Sequence, residues 1–155
     1  MAIEGLERII GEHPLFAGLG QDFLSTVTGC AMNVRFRAGE YLFHEGDAAD
    51  RLYLIREGMV ALEISEPGQG RMTFLTVARN GVVGMSWLVP PYRWTFDARA
   101  IEDTRALAFD AGCLRGKCDS DPALGYAVMK RFMPVLVERL HNTRVQMLDV
   151  YGVRS

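Results

Sequence analysis

The sequence is poor in cysteine, histidine and net positive charge, and it has no long apolar run; each shortage removes a class of function. Its three cysteines, Cys30, Cys113 and Cys118, contain no Cys-x-x-Cys pair and leave an odd count. That argues against a disulfide framework and predicts reduced, structural thiols. Cys113 and Cys118 fall five apart on a predicted helix and point away from one another, so they make neither a bridge nor a metal pair. The three histidines, His13, His44 and His141, stand in unrelated contexts. There is no His-Glu-x-x-His, no Gly-x-Ser-x-Gly elbow and no Walker loop, so neither an enzyme nor a metal centre is expected. His44 with Glu45 and Asp47 reads as a solvated turn. Lys and Arg number 17 against 19 Asp and Glu, a net charge of −2. Without an excess positive field, nucleic acid is not expected as a direct partner. The N-terminus Met-Ala-Ile-Glu-Gly-Leu-Glu-Arg carries acids where a signal peptide has a basic start. A cytoplasmic protein with no membrane span is the expectation, and no cofactor is implied.

What is present is a good core composition, 49% hydrophobic over 155 residues, enough for one domain and too little for two. Residues 1–30 read as a helical lead, 31–109 as a β section and 110–152 as C-terminal helices. In the lead, residues 3–11, 14–18 and 21–30 have helical texture, with Phe23, Leu24, Val27 and Cys30 on one face. From Asn33 the pattern alternates, and glycines at 39, 46, 58, 68, 70, 81 and 84 separate short strand-like runs, among them 51–56, 59–64, 72–78, 95–101 and 105–109. Short strands at this spacing predict a mainly β fold, a sandwich or jelly roll with flanking helices. After Phe109 the period returns to 3.6. A short helix over 111–118 precedes Asp119-Ser120-Asp121-Pro122, a start signal for a long helix that could run to Tyr151. Pro134 predicts a kink or break near Phe132 and Met133. Met133, Leu136, Leu140, Thr143, Met147 and Val150 then recur three and four apart, the spacing of a coiled-coil seam between two copies. The other reading of that stripe is packing back onto the β section.

Residues 81–100 hold both tryptophans, a Pro-Pro pair and a lone Arg93 between two β-rich stretches. A turn at Gly84 can direct backbone N–H groups at an anion, and the fork of donors on Arg93 can close over it. The candidate ligand-binding set is Gly84, Met85, Ser86, Trp87, Arg93, Trp94 and Thr95. Ser86 could instead cap a short helix, and Arg93 could lie over Trp94 or Tyr92 in a cation–π contact.

The order of elements, with Arg37-Ala-Gly-Glu-Tyr-Leu-Phe-His-Glu-Gly-Asp47 and Asp50-Arg-Leu-Tyr-Leu-Ile-Arg-Glu-Gly58, resembles the cyclic nucleotide-binding domain of the catabolite activator and FNR-type regulators. The resemblance runs from about His13 to Tyr151. It implies a β jelly roll (double-stranded β-helix) with small N-terminal helices and a long C-terminal helix. It also implies a phosphate-binding cassette at Gly84-Met85-Ser86-Trp87-Leu88 and Arg93-Trp94-Thr95, in which the Arg and the turn amides would hold a cyclic phosphate. Met85 stands where the family has a ribose-binding Glu. A thioether cannot replace that carboxylate, which would leave a buried hydroxyl unpaired at about 1–3 kcal/mol. Trp87 and Trp94 replace small residues. The segment is similar to one in short members of this superfamily, and the end at Ser155 leaves no room for the helix-turn-helix domain of the regulators. Two functions follow: a sensor of a nucleotide or related planar anion that signals through the long helix, or a dimeric adaptor for a separate effector protein, its pocket plugged by the tryptophans.

Overall fold

The computed structural model describes the backbone of residues 2–150 and the surroundings of side chains 5–148. Helices α1 (Ala2–Glu12) and α2 (Gln21–Thr28) lead into strands β1 (Ala31–Phe36), β2 (Tyr41–Phe43), β3 (Arg51–Glu57), β4 (Val60–Glu66), β5 (Gly70–Val77) and β6 (Val82–Val83). A single 3₁₀ turn (Ser86–Leu88), β7 (Asp97–Ala100), β8 (Thr104–Asp110), α3 (Ala111–Ser120) and α4 (Pro122–Val150) follow. The strands form two four-stranded sheets, β1-β8-β3-β6 and β2-β7-β4-β5, in which every pairing is antiparallel. This is the jelly-roll arrangement that the glycine spacing predicts.

The two sheets face one another across an aromatic interior. Tyr53 of β3 meets Phe36 of β1 and Phe43 of β2, with ring centroids 5.8 and 6.4 Å apart. On the other side of the first sheet, Phe109 of β8 packs against Phe16 of the lead at 5.5 Å. With cover on both faces, Leu52, Tyr53, Leu54 and Ile55 are buried in succession, which is why β3 reads as a continuous apolar run rather than an alternating one. Gly58 makes the β3–β4 turn at φ +100°, where a Cβ would strike the main chain of Asp103 and Thr104. No other residue fits that turn without displacing β8.

Two expectations are corrected. Cys30 and Cys113 form a disulfide, with Cα atoms 5.7 Å apart and 83 residues between them in sequence; only Cys118 is free among the three. Pairing of Ala31 with Phe109 places Cys30 beside Asp110, whose N–H donates to the Cys30 carbonyl at 2.8 Å. Asp110 also caps α3 by accepting from the Cys113 N–H at 2.7 Å. The bridge is thus a product of strand register, which cysteine spacing does not encode. Burial, helped by Asp119 and Asp121, pushes the Cys118 thiol up.

The second correction concerns the break, one of the two outcomes expected at Pro134, which instead lies inside one uninterrupted α4. The ring is exposed, as is Lys130 one turn earlier, so water reaches the carbonyl that the missing N–H leaves free. The start of α4 is as expected: Asp121 Oδ1 accepts from the N–H groups of Ala123 and Leu124 at 3.2 and 3.3 Å.

Candidate functional site

The candidate cassette begins where β6 ends. Gly84 turns the chain at φ +101°, and the 3₁₀ turn Ser86–Leu88 follows, with Met85 at its N-cap and no side-chain cap. Ser86 is therefore not the cap. The chain returns through the cis Pro90–Pro91 peptide and Tyr92, at φ +57°, and lies extended beside residues 46–49. Ala48 and Arg93 form an isolated antiparallel bridge. The Trp94 N–H donates to Asp47 at 2.9 Å, and the Trp94 carbonyl accepts from Gly46 at 2.8 Å.

Extended chain sends successive side chains to opposite sides, and this parity decides the site. Trp94 points inward, 2% exposed. Its ring stacks on Phe43 at 3.7 Å, 7° from parallel, and a Cβ placed on Gly84 would overlap it. Arg93 points outward, exposed, with Nη1 donating to the Gly46 carbonyl at 2.9 Å. The cation over Tyr92 is Arg115, at 4.2 Å, rather than Arg93. Thr95 is exposed as well. Trp87 is fully buried but looks elsewhere: its ring meets Phe132 of α4 edge-on at 5.7 Å, and its carbonyl accepts from Arg115 Nη1 at 2.6 Å. Of the seven candidate residues, Gly84 and Trp94 come together in direct contact, Met85 and Ser86 are half-buried beside them, and Arg93 and Thr95 face solvent. Trp87 joins the cassette to the long helix.

That helix presents two unlike faces. Phe132 is buried and Val135 half-buried against the roll. Three side chains then reach across to main-chain carbonyls: Arg131 to Leu15 and Ala17 at 3.1 and 2.7 Å, Arg139 to Val82, and Gln146 to Phe74 at 2.9 Å. Burial lowers the pKa of Arg139 from the usual arginine value. On the opposite face Met133, Leu136, Leu140 and Met147 are each about half exposed, so this stripe does not pack back on the β section. Thr143 stands at the boundary, exposed yet lining a small cavity of about 80 Å³ with Phe74 and Phe96. The Val150 side chain lies outside the described residues. No described helix is long and apolar enough to cross a membrane.

Sequence reasoning missed a charged cluster on the second sheet. Glu63 and Asp97 are register partners on β4 and β7, 2% and 9% exposed. Arg99 Nη2 reaches Glu63 at 2.8 Å, and Arg71 lies 3.8 Å from Glu63 and 3.6 Å from Asp97. The Glu45 N–H donates to Asp97 at 2.7 Å. Hydrogen bonding to Glu63 raises the Arg99 pKa further. Two buried carboxylates in adjacent strands require these cations. The only sequence signal was polar residues inside strand-like runs, which does not pair β4 with β7.

Residues 33–121 match the family description of the cyclic nucleotide-binding domain. The chain is 27% identical over 146 residues to the CRP-like cAMP-activated global transcriptional regulator of Mycobacterium tuberculosis, covering 94% of this chain and 63% of that protein. Among solved structures, it is similar to the N-terminal domain of a transcriptional regulator from Streptomyces coelicolor, with TM-score 0.67, 28% identity and coverage of 90% and 95%. It is also similar to the catabolite activator protein of Thermus thermophilus, with TM-score 0.70, 25% identity and coverage of 90% and 63%.

Proposed function

Because this chain belongs to the cyclic nucleotide-binding domain family, a family of regulatory modules, we propose that it regulates through its long C-terminal helix. In this reading it acts as a homodimer and as the docking element for a separate effector protein, with its own Trp94 indole seated where the resemblance puts the ligand. The observation that carries the reading is the opposed parity of Arg93 and Trp94: the aromatic ring fills the space over Gly84 while the guanidinium lies outside on the Gly46 carbonyl. A phosphate bound at the turn would find a ring where the cassette needs a cation. The exposed Met133, Leu136, Leu140 and Met147 support the dimer, since an apolar stripe of this spacing is left uncovered in one copy.

The test is to titrate cyclic AMP and cyclic GMP while following tryptophan fluorescence and melting temperature, with sedimentation velocity for the assembly state. The expected result is unchanged fluorescence and melting, and a species of twice the chain mass. Saturable quenching by either nucleotide, lost in Arg93→Ala, would replace this reading with the sensor, in which Trp94 swings aside and Arg93 turns in to the phosphate.

A further inference from the structure

Away from the cassette, the outer face of the first sheet gathers three arginines, and the turn before β6 adds a fourth, Arg79. The helical lead covers only part of that face, where Ile9 and His13 lie beside Leu107. Beyond it, Arg35 on β1 is the register partner of Arg105 on β8. Arg56 of β3 joins them, with Asn33, around an open hollow of about 350 Å³. Like charges set opposite one another across antiparallel strands are destabilising without a counterion. Arg105 has Glu57 at 3.7 Å and Arg56 donates to Asn33 at 3.1 Å, while Arg35 has no ion-pair partner among the described residues.

Arg56 is shared with a second cavity of about 230 Å³, between α1 and the turn before β6, whose wall includes His13, Arg79 and Asn80. Asn80 is held at φ +71° in that turn, and Arg79 has no ion-pair partner among the described residues. His13 is 6% exposed. Its Nδ1 accepts from the Leu15 N–H at 3.1 Å, and burial pushes its pKa down to about 4, so at neutral pH the ring proton sits on Nε2. That N–H is buried without a partner among the described residues.

We propose that this face binds a small polyanion, with one oxyanion group among Arg35, Arg56 and Arg105 and a second between Arg56 and Arg79 beside the His13 imidazole. Arginine suits the task because its planar fork of donors matches phosphate and carboxylate oxygens. Glu12 and Glu57 also line the second cavity; Glu57 is engaged by Arg105, and Glu12 marks where negative charge on the ligand must stop. Two adjoining hollows of this size fit a diffusible molecule, whereas nucleic acid would need a longer positive track than a chain of net charge −2 provides here. The site is independent of the cassette and stands or falls without it.

The experiment titrates the full chain with inorganic tripolyphosphate by calorimetry and by ¹H–¹⁵N spectra, with citrate as the carboxylate arm and deca-aspartate as a mimic of an acidic protein segment. Saturable binding of one tripolyphosphate is expected, with shifts at Arg35, Arg56, Arg79 and His13. Arg56→Gln should weaken it at least tenfold, Arg35→Gln and Arg79→Gln several-fold, and Arg93→Gln not at all. Arg35 and Arg79 are exposed, so these two variants keep the native melting temperature and separate lost binding from lost folding. Citrate binding more tightly, with the same sensitivity to Arg56→Gln, supports the site and assigns it to a polycarboxylate. Non-saturating binding, indifference to Arg56→Gln, or tighter binding of deca-aspartate overturns the proposal, the last making the face a protein-docking surface.

Discussion

The cassette and the long helix handle the same kind of surface in opposite ways. Between residues 84 and 94 two indoles are tucked into the interior, Trp94 on Phe43 and Trp87 on Phe132. Along α4 the chain leaves Met133, Leu136, Leu140 and Met147 in water. A protein that tucks the rings of one segment inside and leaves an apolar stripe outside carries its uncovered contact surface on the helix. Apolar area seeks cover in proportion to what is exposed.

The strongest way to break this comparison is Trp94→Ala, which empties the cassette. Loss of a buried indole costs about 3–5 kcal/mol, so chemical denaturation should show a fall of that size while the dimer, if the stripe forms it, persists in the folded fraction. The complementary change, Leu136→Glu with Leu140→Glu, attacks the helix. Sedimentation should then show a single-chain species, with the stability of one isolated copy altered by less than about 1 kcal/mol, because both residues are already half in water.

An acid titration sharpens the comparison at the root of the helix. Arg131 ties α4 to the carbonyls of Leu15 and Ala17, and His13 shapes that turn by accepting the Leu15 N–H. Burial lowers the His13 pKa from 6.5 to about 4. Between those values the unfolded chain binds the proton and the folded one does not, so this contribution is fully present above pH 6.5 and is lost progressively as pH falls toward 4. Melting temperatures across that window should decline less steeply in His13→Gln, which does not titrate. The smallest effect belongs to Arg93→Ala: an exposed side chain with one hydrogen bond to a carbonyl should change stability by no more than about 0.5 kcal/mol.

The fold was legible because its signals are local. Glycine at the turns between short strands, alternation from Asn33 onward and the Asp121 cap before Pro122 each act within a few residues, and each appears where expected. The disulfide was not, because Cys30 and Cys113 meet only after β1 pairs with β8. The Glu63–Asp97 pair depends in the same way on β4 lying beside β7. At the cassette the right segment stood out, but the directions of Arg93 and Trp94 depend on the bridge to Ala48, and a shift of one residue would exchange them. Residue order shows that an arginine and a tryptophan are adjacent; it does not show which one faces inward.

The side-chain hydrogen bonds that tie α4 to the rest of the fold all end on peptide oxygens, at Leu15, Ala17, Val82 and Phe74. Since every amino acid supplies the same oxygen, the anchorage does not depend on which side chains occupy those four positions. Descendants of this chain are free to change the side chains at those four positions while inheriting the same polar grip on the rod, provided the reaching residues at 131, 139 and 146 and the apolar seat of Phe132 on Trp87 are kept.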